Sequence, residues 1–258
     1  MSFSQTKNQI LSNLGVIDYS PKGSIDQEIR PLIDLINQHP DYVTTSSCSG
    51  RLSIFIEGKK TRLGGKGDGG AWLFVTHDYR NVKSGWIQGF HEYRHPEPVL
   101  GNEARRYVQY KFEPVILHIK CASHDAACTL FRAAVACGFR ETGMGPNEIV
   151  AIRISLKIDA PIGYLKGDRI YPITTDEYIE ELNDLTLEMF RKNQLKIDEL
   201  TKTFTQLLES QSATPCSKES YQERAARKRK EGLMRQAQVT STSTESKQEV
   251  EYDVLGLP

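Results

Sequence analysis

The chain has 258 residues and a mass of 29.2 kDa, is 38% hydrophobic and 26% charged, and is long enough to bury a core without disulfide staples. Its 33 basic residues equal its 33 acidic ones, which excludes a uniformly basic nucleic-acid coat and leaves any anionic partner to a local patch. There is no run of 18 apolar residues, no charged-then-apolar leader after Met1-Ser2-Phe3-Ser4-Gln5, and no C-x-x-C pair among Cys48, Cys121, Cys128, Cys137 and Cys216; the expectation is a cytoplasmic protein with no membrane partner, no disulfide framework and no metal site.

The predicted elements follow in chain order. Ser2 to Leu14 reads as a helix capped by Ser2 or Ser4, with Ile10, Leu11 and Leu14 on one face. Ser24 to Gln38 is a second helix. Its Ile25, Ile29, Leu32, Ile33 and Ile36 recur at three- and four-residue spacing, and Pro31 sits near its first turn or bends it. Asp41 to Ser46, Leu52 to Glu57 and Ala71 to His77 are strands by β-branched and aromatic content. Tyr107 to Glu113 and Val115 to Cys121 read as a strand pair broken by Pro114. Ser123 to Cys137 is a helix with Ser123 as N-cap, Asp125 in its first turn and Gly138 just past its end. Glu148 to Ile158 reads as one long strand. Thr174 or Thr175 caps a helix reaching Leu208, roughly 50 Å long. From Asp176 to Glu209 it carries 9 acids and 4 bases, a poor surface for RNA.

These elements do not alternate strictly, which disfavours a doubly wound sheet. The expected fold is mixed α/β (α+β): one non-Rossmann domain over residues 1–210, with a mixed sheet covered by helices and a long C-terminal helix. Residues 211–258 read as a linker, a basic helical segment with Arg227-Lys228-Arg229-Lys230, and a disordered Ser/Thr/Glu-rich tail. The basic run leaves entry to the nucleus open.

Several stretches carry chemistry. Thr44-Thr45-Ser46-Ser47-Cys48-Ser49-Gly50-Arg51 places hydroxyls, a thiol, a glycine and a guanidinium between two apolar strands. Such a turn can hold a carboxylate or phosphate, or be a plain Ser-rich turn. Gly65, Gly67 and Gly70 match G-x-G-x-x-G in letters only, because a strand rather than a helix follows. Lys66 in that loop would then meet a ligand, or the loop simply closes a hairpin. Trp72 can stack on a base or fill the core, and His77 beside Asp78 can move a proton or be structural. Basic and aromatic residues cluster at Arg51 to Lys66 and again at Arg94, Arg105 and Arg106, the composition of an RNA surface or of a solvated loop. His118 reads as core, and Cys121, Cys128 and Cys137 as small apolar fillers.

The Thr45–Arg51 run, Gly65-Lys66-Gly67 leading to Trp72–Asp78, Phe112-Glu113-Pro114 with Ile116-Leu117-His118, Gly138–Gly143 and Ile149–Arg153 closely resemble the tRNA wybutosine-synthesising protein 3 family, in order through most of residues 1–210. Asp68 in the glycine loop and Thr142 are small departures. The resemblance implies a methyltransferase that uses S-adenosylmethionine and has a fold unlike the common Rossmann enzymes. It implies methylation of N4 of the tricyclic base at position 37 of phenylalanine tRNA, on a substrate already bearing a 3-amino-3-carboxypropyl side chain. Other enzymes of that pathway are possible partners.

On that footing the Ser46–Arg51 turn and the Gly65–Lys66 loop are expected to form one pocket. Ser46, Ser47, Ser49, Gly50 and Trp72 would bind the donor. His77 would accept the N4 proton with Asp78 orienting it and Ser49 assisting, while Arg51, Lys66, Arg94, Arg105, Arg106 and Arg153 would bind substrate and tRNA. Cys48 is expected to pack or touch ligand only, because direct transfer needs no thiol nucleophile. The rival is a non-catalytic module that presents the anticodon loop to other enzymes. A serine hydrolase is disfavoured because the chain has no G-x-S-x-G elbow.

Overall fold

The computed structural model describes residues 2–13, 26–58, 69–99, 105–212 and Arg229, with the side chains of 95–99 and 211–212 outside the description. The chain divides into a compact unit of residues 1–210 and a second unit, 211–258. Of the second unit only the end of the last helix and Arg229 are described, so the linker, basic segment and tail expected there lie outside. Lys66 and residues 64–68 of the glycine loop also lie outside the described residues. Among the described residues no helix is long and apolar enough to cross a membrane.

Helix α1 (Phe3–Asn13) begins with a capping box. The Gln5 amide donates to Ser2 Oγ at 3.3 Å, and the Ser2 amide donates to Gln5 Oε1 at 3.0 Å. A short 3₁₀ turn, Gln27–Ile29, leads into α2 (Arg30–Gln38), with Pro31 in the first turn where its missing N–H costs nothing. Strands β1 (Tyr42–Cys48), β2 (Arg51–Ile56) and β3 (Ala71–Thr76) follow, then α3 (Trp86–Glu92) and β4 (Arg94–Val99), in a stretch to which the sequence pattern assigns no element. Next come β5 (Arg106–Glu113), β6 (Ile116–Cys121) and α4 (His124–Ala136). Helix α4 has Ser123 accepting from the Ala126 amide at 3.2 Å and Gly138 at φ +95°. The unit closes with β7 (Gly143–Met144), β8 (Ile149–Ile152), β9 (Ile158–Pro172) and α5 (Asp176–Ser212). Thr175 Oγ1 caps α5 by accepting from the Tyr178 amide at 3.3 Å.

The α+β class holds, but the expected single mixed sheet is two antiparallel sheets. Their strand orders are β1-β6-β8-β7 and β3-β2-β5-β9-β4. The chain passes from the first sheet to the second at Ser49–Gly50, returns at Pro114–Val115, and passes again through residues 153–157. Because β1-β6-β8 and β2-β5-β9 keep the same order, these three crossings form one seam. The crossing at 153–157 is why Glu148 to Ile158 reads as one strand: the hydrophobic run continues although its hydrogen-bond partners change. Strand β9 then runs 15 residues, a length concealed in the sequence by Pro161, Gly163 and Gly167.

Each sheet buries one face in its own apolar cluster. Leu117, Ile119, Val150 and Ile152 meet α2 and α4 in one. Leu52, Ile54, Val108, Tyr110 and Phe112 meet α3 in the other. Helix α5 serves both, with Ile179 and Leu182 in the second cluster and Ile197, Leu200 and Phe204 in the first. Its buried polar side chains fix its register: the Tyr110 hydroxyl meets the Leu182 carbonyl at 3.1 Å, Asn183 Oδ1 at 3.1 Å and the Thr186 hydroxyl at 2.7 Å. Tyr110→Phe leaves these buried groups short of a partner and should cost about 1–3 kcal/mol of unfolding free energy, measured by chemical denaturation.

Candidate functional site

The expected donor turn lies at the seam. Gly50 has φ +111°, and a Cβ there would come within 3.0 Å of Asn193 Nδ2 and 3.2 Å of the Glu113 carbonyl oxygen. The turn is held by both atoms of the Asn193 amide, which is 3% exposed. Asn193 Nδ2 donates to the Ser49 carbonyl at 2.7 Å, and Asn193 Oδ1 accepts from the Val115 amide at 2.8 Å. One side chain of α5 therefore ties two of the three crossings together. The Ser49 amide donates to Asp26 Oδ2 at 3.0 Å, and Ser49 and Asp26 are 4% and 6% exposed.

Asp26, Cys48 and His77 converge here, their ligating atoms all within 4.8 Å of one another. Burial pushes the Cys48 thiol up, against the opposing effects of a Gly50 backbone hydrogen bond and the Arg51 charge. Carboxylate, thiol and imidazole could together surround a divalent cation. A thiol held protonated is a poor ligand, however, and the arrangement equally suits proton handling. Arg51 Nε donates to Glu113 Oε2 at 2.7 Å, and its guanidinium lies 5.7 Å from the centre of the Trp72 ring.

Other expected residues fall elsewhere. Both oxygens of Asp78 accept from Arg80 at 2.7–3.0 Å, and Asp78 also caps the 3₁₀ turn Tyr79–Asn81. The carboxylate gathered with His77 and Cys48 is Asp26, which sequence reasoning placed inside a helix and so missed. Strict alternation along β3 would put Trp72 on one face with Phe74, and it does not lie there. A bulge pairs Ile54 with Phe74 and Phe55 with Trp72, so Trp72 turns away from the core and is 39% exposed. Arg106 donates to the backbone carbonyls of Glu57 (2.8 Å) and Gly69, pinning the roots of the glycine loop. Those roots lie beyond the far end of β2 from Arg51, about 20 Å by strand rise. Arg105 sits over the Tyr164 ring at 5.1 Å, and Arg94 is exposed on β4 opposite Arg169.

Ser46 and Ser47 are exposed. Ser46 Oγ lies 2.7 Å from His118 Nδ1, so His118 is on the outer face of its sheet and not in the core. Burial lowers the His118 pKa below 6.5, and the Arg153 charge lowers it further. Cys121 and Cys137 are buried fillers as expected, whereas Cys128 is half-buried with its sulfur 3.4 Å from His124 Nε2.

The family described as methyltransferase TYW3 matches residues 5–206, and the chain belongs to it. The tRNA wybutosine-synthesizing protein 3 of Saccharomyces cerevisiae is 41% identical over 266 residues, covering 93% of this chain and 96% of that protein. The Schizosaccharomyces pombe protein of the same name is 43% identical over 199 residues, covering 75% and 82%. In fold, the chain is similar to the PH1069 protein of Pyrococcus horikoshii OT3, with TM-score 0.61 and 24% identity over 80% of this chain and 94% of that one.

Two outcomes test this geometry. Asn193→Ala orphans a buried carbonyl and a buried amide, and should cost about 2–4 kcal/mol by denaturant titration, where an exposed asparagine would cost nearly nothing. Arg153→Gln should raise the His118 pKa in an NMR titration while leaving it below 6.5, because desolvation is the larger cause.

Proposed function

We propose that this methyltransferase acts on the tricyclic wybutosine precursor at position 37 of phenylalanine tRNA and methylates N4 of a base that carries the 3-amino-3-carboxypropyl side chain. The observation that carries the reading is the convergence of Asp26, Cys48 and His77 on the Ser49–Arg51 turn, inside the matched region. The names of the fungal relatives support the pathway.

The donor is S-adenosylmethionine, which when bound supplies a sulfonium methyl. The residues fit such a group. The strands that flank the turn offer exposed hydroxyls at Ser46 and Ser47 in β1 and a half-buried guanidinium at Arg51 in β2, and Trp72 offers an exposed aromatic face. Methyl transfer is an in-line displacement, so the protein acts mainly by alignment and by excluding water. The turn is suited to alignment because its backbone is fixed from both sides, by Asp26 and by Asn193. As N4 takes the methyl it must lose its proton, and His77 receives it. Asp26, close by and negatively charged, stabilises the imidazolium that forms. Cys48 stays a thiol and lines the site. Arg51, Arg94, Arg105 and Lys66 bind tRNA phosphate, and Arg106 acts indirectly by anchoring the loop that carries Lys66.

Calorimetry with S-adenosylmethionine and methylation of unmethylated phenylalanine tRNA, followed by nucleoside mass spectrometry, test this together. The wild-type chain should bind the donor and add one methyl at N4. His77→Ala and Asp26→Asn should lose about 10²–10⁴ in kcat and retain donor binding. A chain that binds no donor would be the tRNA-presenting module instead.

A further inference from the structure

The outer face of the first sheet carries a second polar group beside the seam, joining Ser46 to two residues that the transfer step above does not use. The strand register aligns Ser46 with His118 and His118 with Ala151 in one cross-strand row. It aligns Cys48 with Ile116 in the next, and carrying the β6–β8 register one residue further brings Arg153 opposite Ile116. The two rows are about 7 Å apart along the strands, and Arg153 is about 10 Å across the sheet from Cys48. Ser46, His118 and Arg153 thus border the reaction centre on one open face.

We propose that Ser46, His118 and Arg153 form a carboxylate-binding subsite of this centre, taking the carboxylate of an amino-acid moiety. A planar guanidinium matches a carboxylate with two parallel hydrogen bonds, which a phosphate-steering lysine would not do. Ser46 Oγ lies 2.7 Å from His118 Nδ1, and in the tautomer in which Nδ1 accepts from this hydroxyl, Nε2–H is a second, uncharged donor. Burial, and then the neighbouring Arg153 charge, lower the His118 pKa and so favour the neutral ring that this role needs. Thr45 Oγ1 donates to the His118 carbonyl at 3.1 Å and holds that segment of β6 against β1.

The subsite rests on the methyltransferase reading above, in which two molecules bring such a carboxylate: the methyl donor and the aminocarboxypropyl side chain of the tRNA base. The test uses the full chain, with Arg153→Gln and His118→Gln as independent variants. Donor affinity is measured by calorimetry with S-adenosylmethionine and with its decarboxylated analogue. KM is measured with tRNA bearing the aminocarboxypropyl base and with tRNA whose tricycle lacks that side chain. If the donor is the source, each variant weakens S-adenosylmethionine about tenfold and leaves the decarboxylated analogue unchanged. If the base is the source, KM rises about tenfold only for the side-chain-bearing tRNA. Either result supports the subsite. Equal losses with both tRNAs indicate a phosphate contact and overturn it, as do variants that match wild type in every arm. Failure of the wild-type chain to bind donor or to methylate would instead refute the parent reading.

Discussion

The arrangement depends on one buried amide. Asn193 holds the Ser49 carbonyl with its nitrogen and the Val115 amide with its oxygen, where two strands leave one sheet for the other. Strand crossings strip backbone groups of their ladder partners, and buried groups so stripped need new ones. A single side chain supplies both here. It comes from the helix that also packs into both apolar clusters, so the position of the Ser49–Arg51 turn is coupled to the packing of each core.

That coupling explains why chemistry collects at the seam. A turn between two well-packed strands is fixed at both ends, and Gly50 allows Asn193 and the neighbouring crossing to approach it closely. The result is a polar cluster with little freedom: a backbone amide aimed at Asp26, a thiol held in its neutral form, and His77 close to both. Preorganisation of this kind suits a reaction whose barrier is mostly alignment and desolvation. Trp72 and the half-buried Arg51 lie on the outer face of the second sheet, and Ser46 and His118 on that of the first.

Much of this was legible in the residues. Capping and periodicity gave α4 and α5 nearly to their ends, and Pro114 marked a true break. The Ser46–Arg51 run stood out because hydroxyls, a thiol, a glycine and a guanidinium fall together between two apolar strands, although a plain Ser-rich turn has much the same composition. The misreadings have physical causes. Glu148 to Ile158 keeps its apolar character while changing sheets, so pattern alone shows no boundary. Trp72 faces away from the core because of a bulge, a one-residue slip that reverses a side chain and leaves no signature in composition. Asp26 lies 51 positions before His77, and Asn193 sits in an acidic helix, so neither advertises a role. An asparagine on the buried face of α5, between Phe190 and Ile197, was the one signal that could have revealed the tie, since a buried amide must be bonded to something.

The most direct test is a crystal structure of the full chain with S-adenosylhomocysteine. The account requires the sulfur to lie at the seam, in contact with the Cys48–Arg51 turn and within reach of His77, with the Asn193 hydrogen bonds intact. The product bound away from that turn, for instance against Tyr79, Arg80 and Arg191, would contradict it.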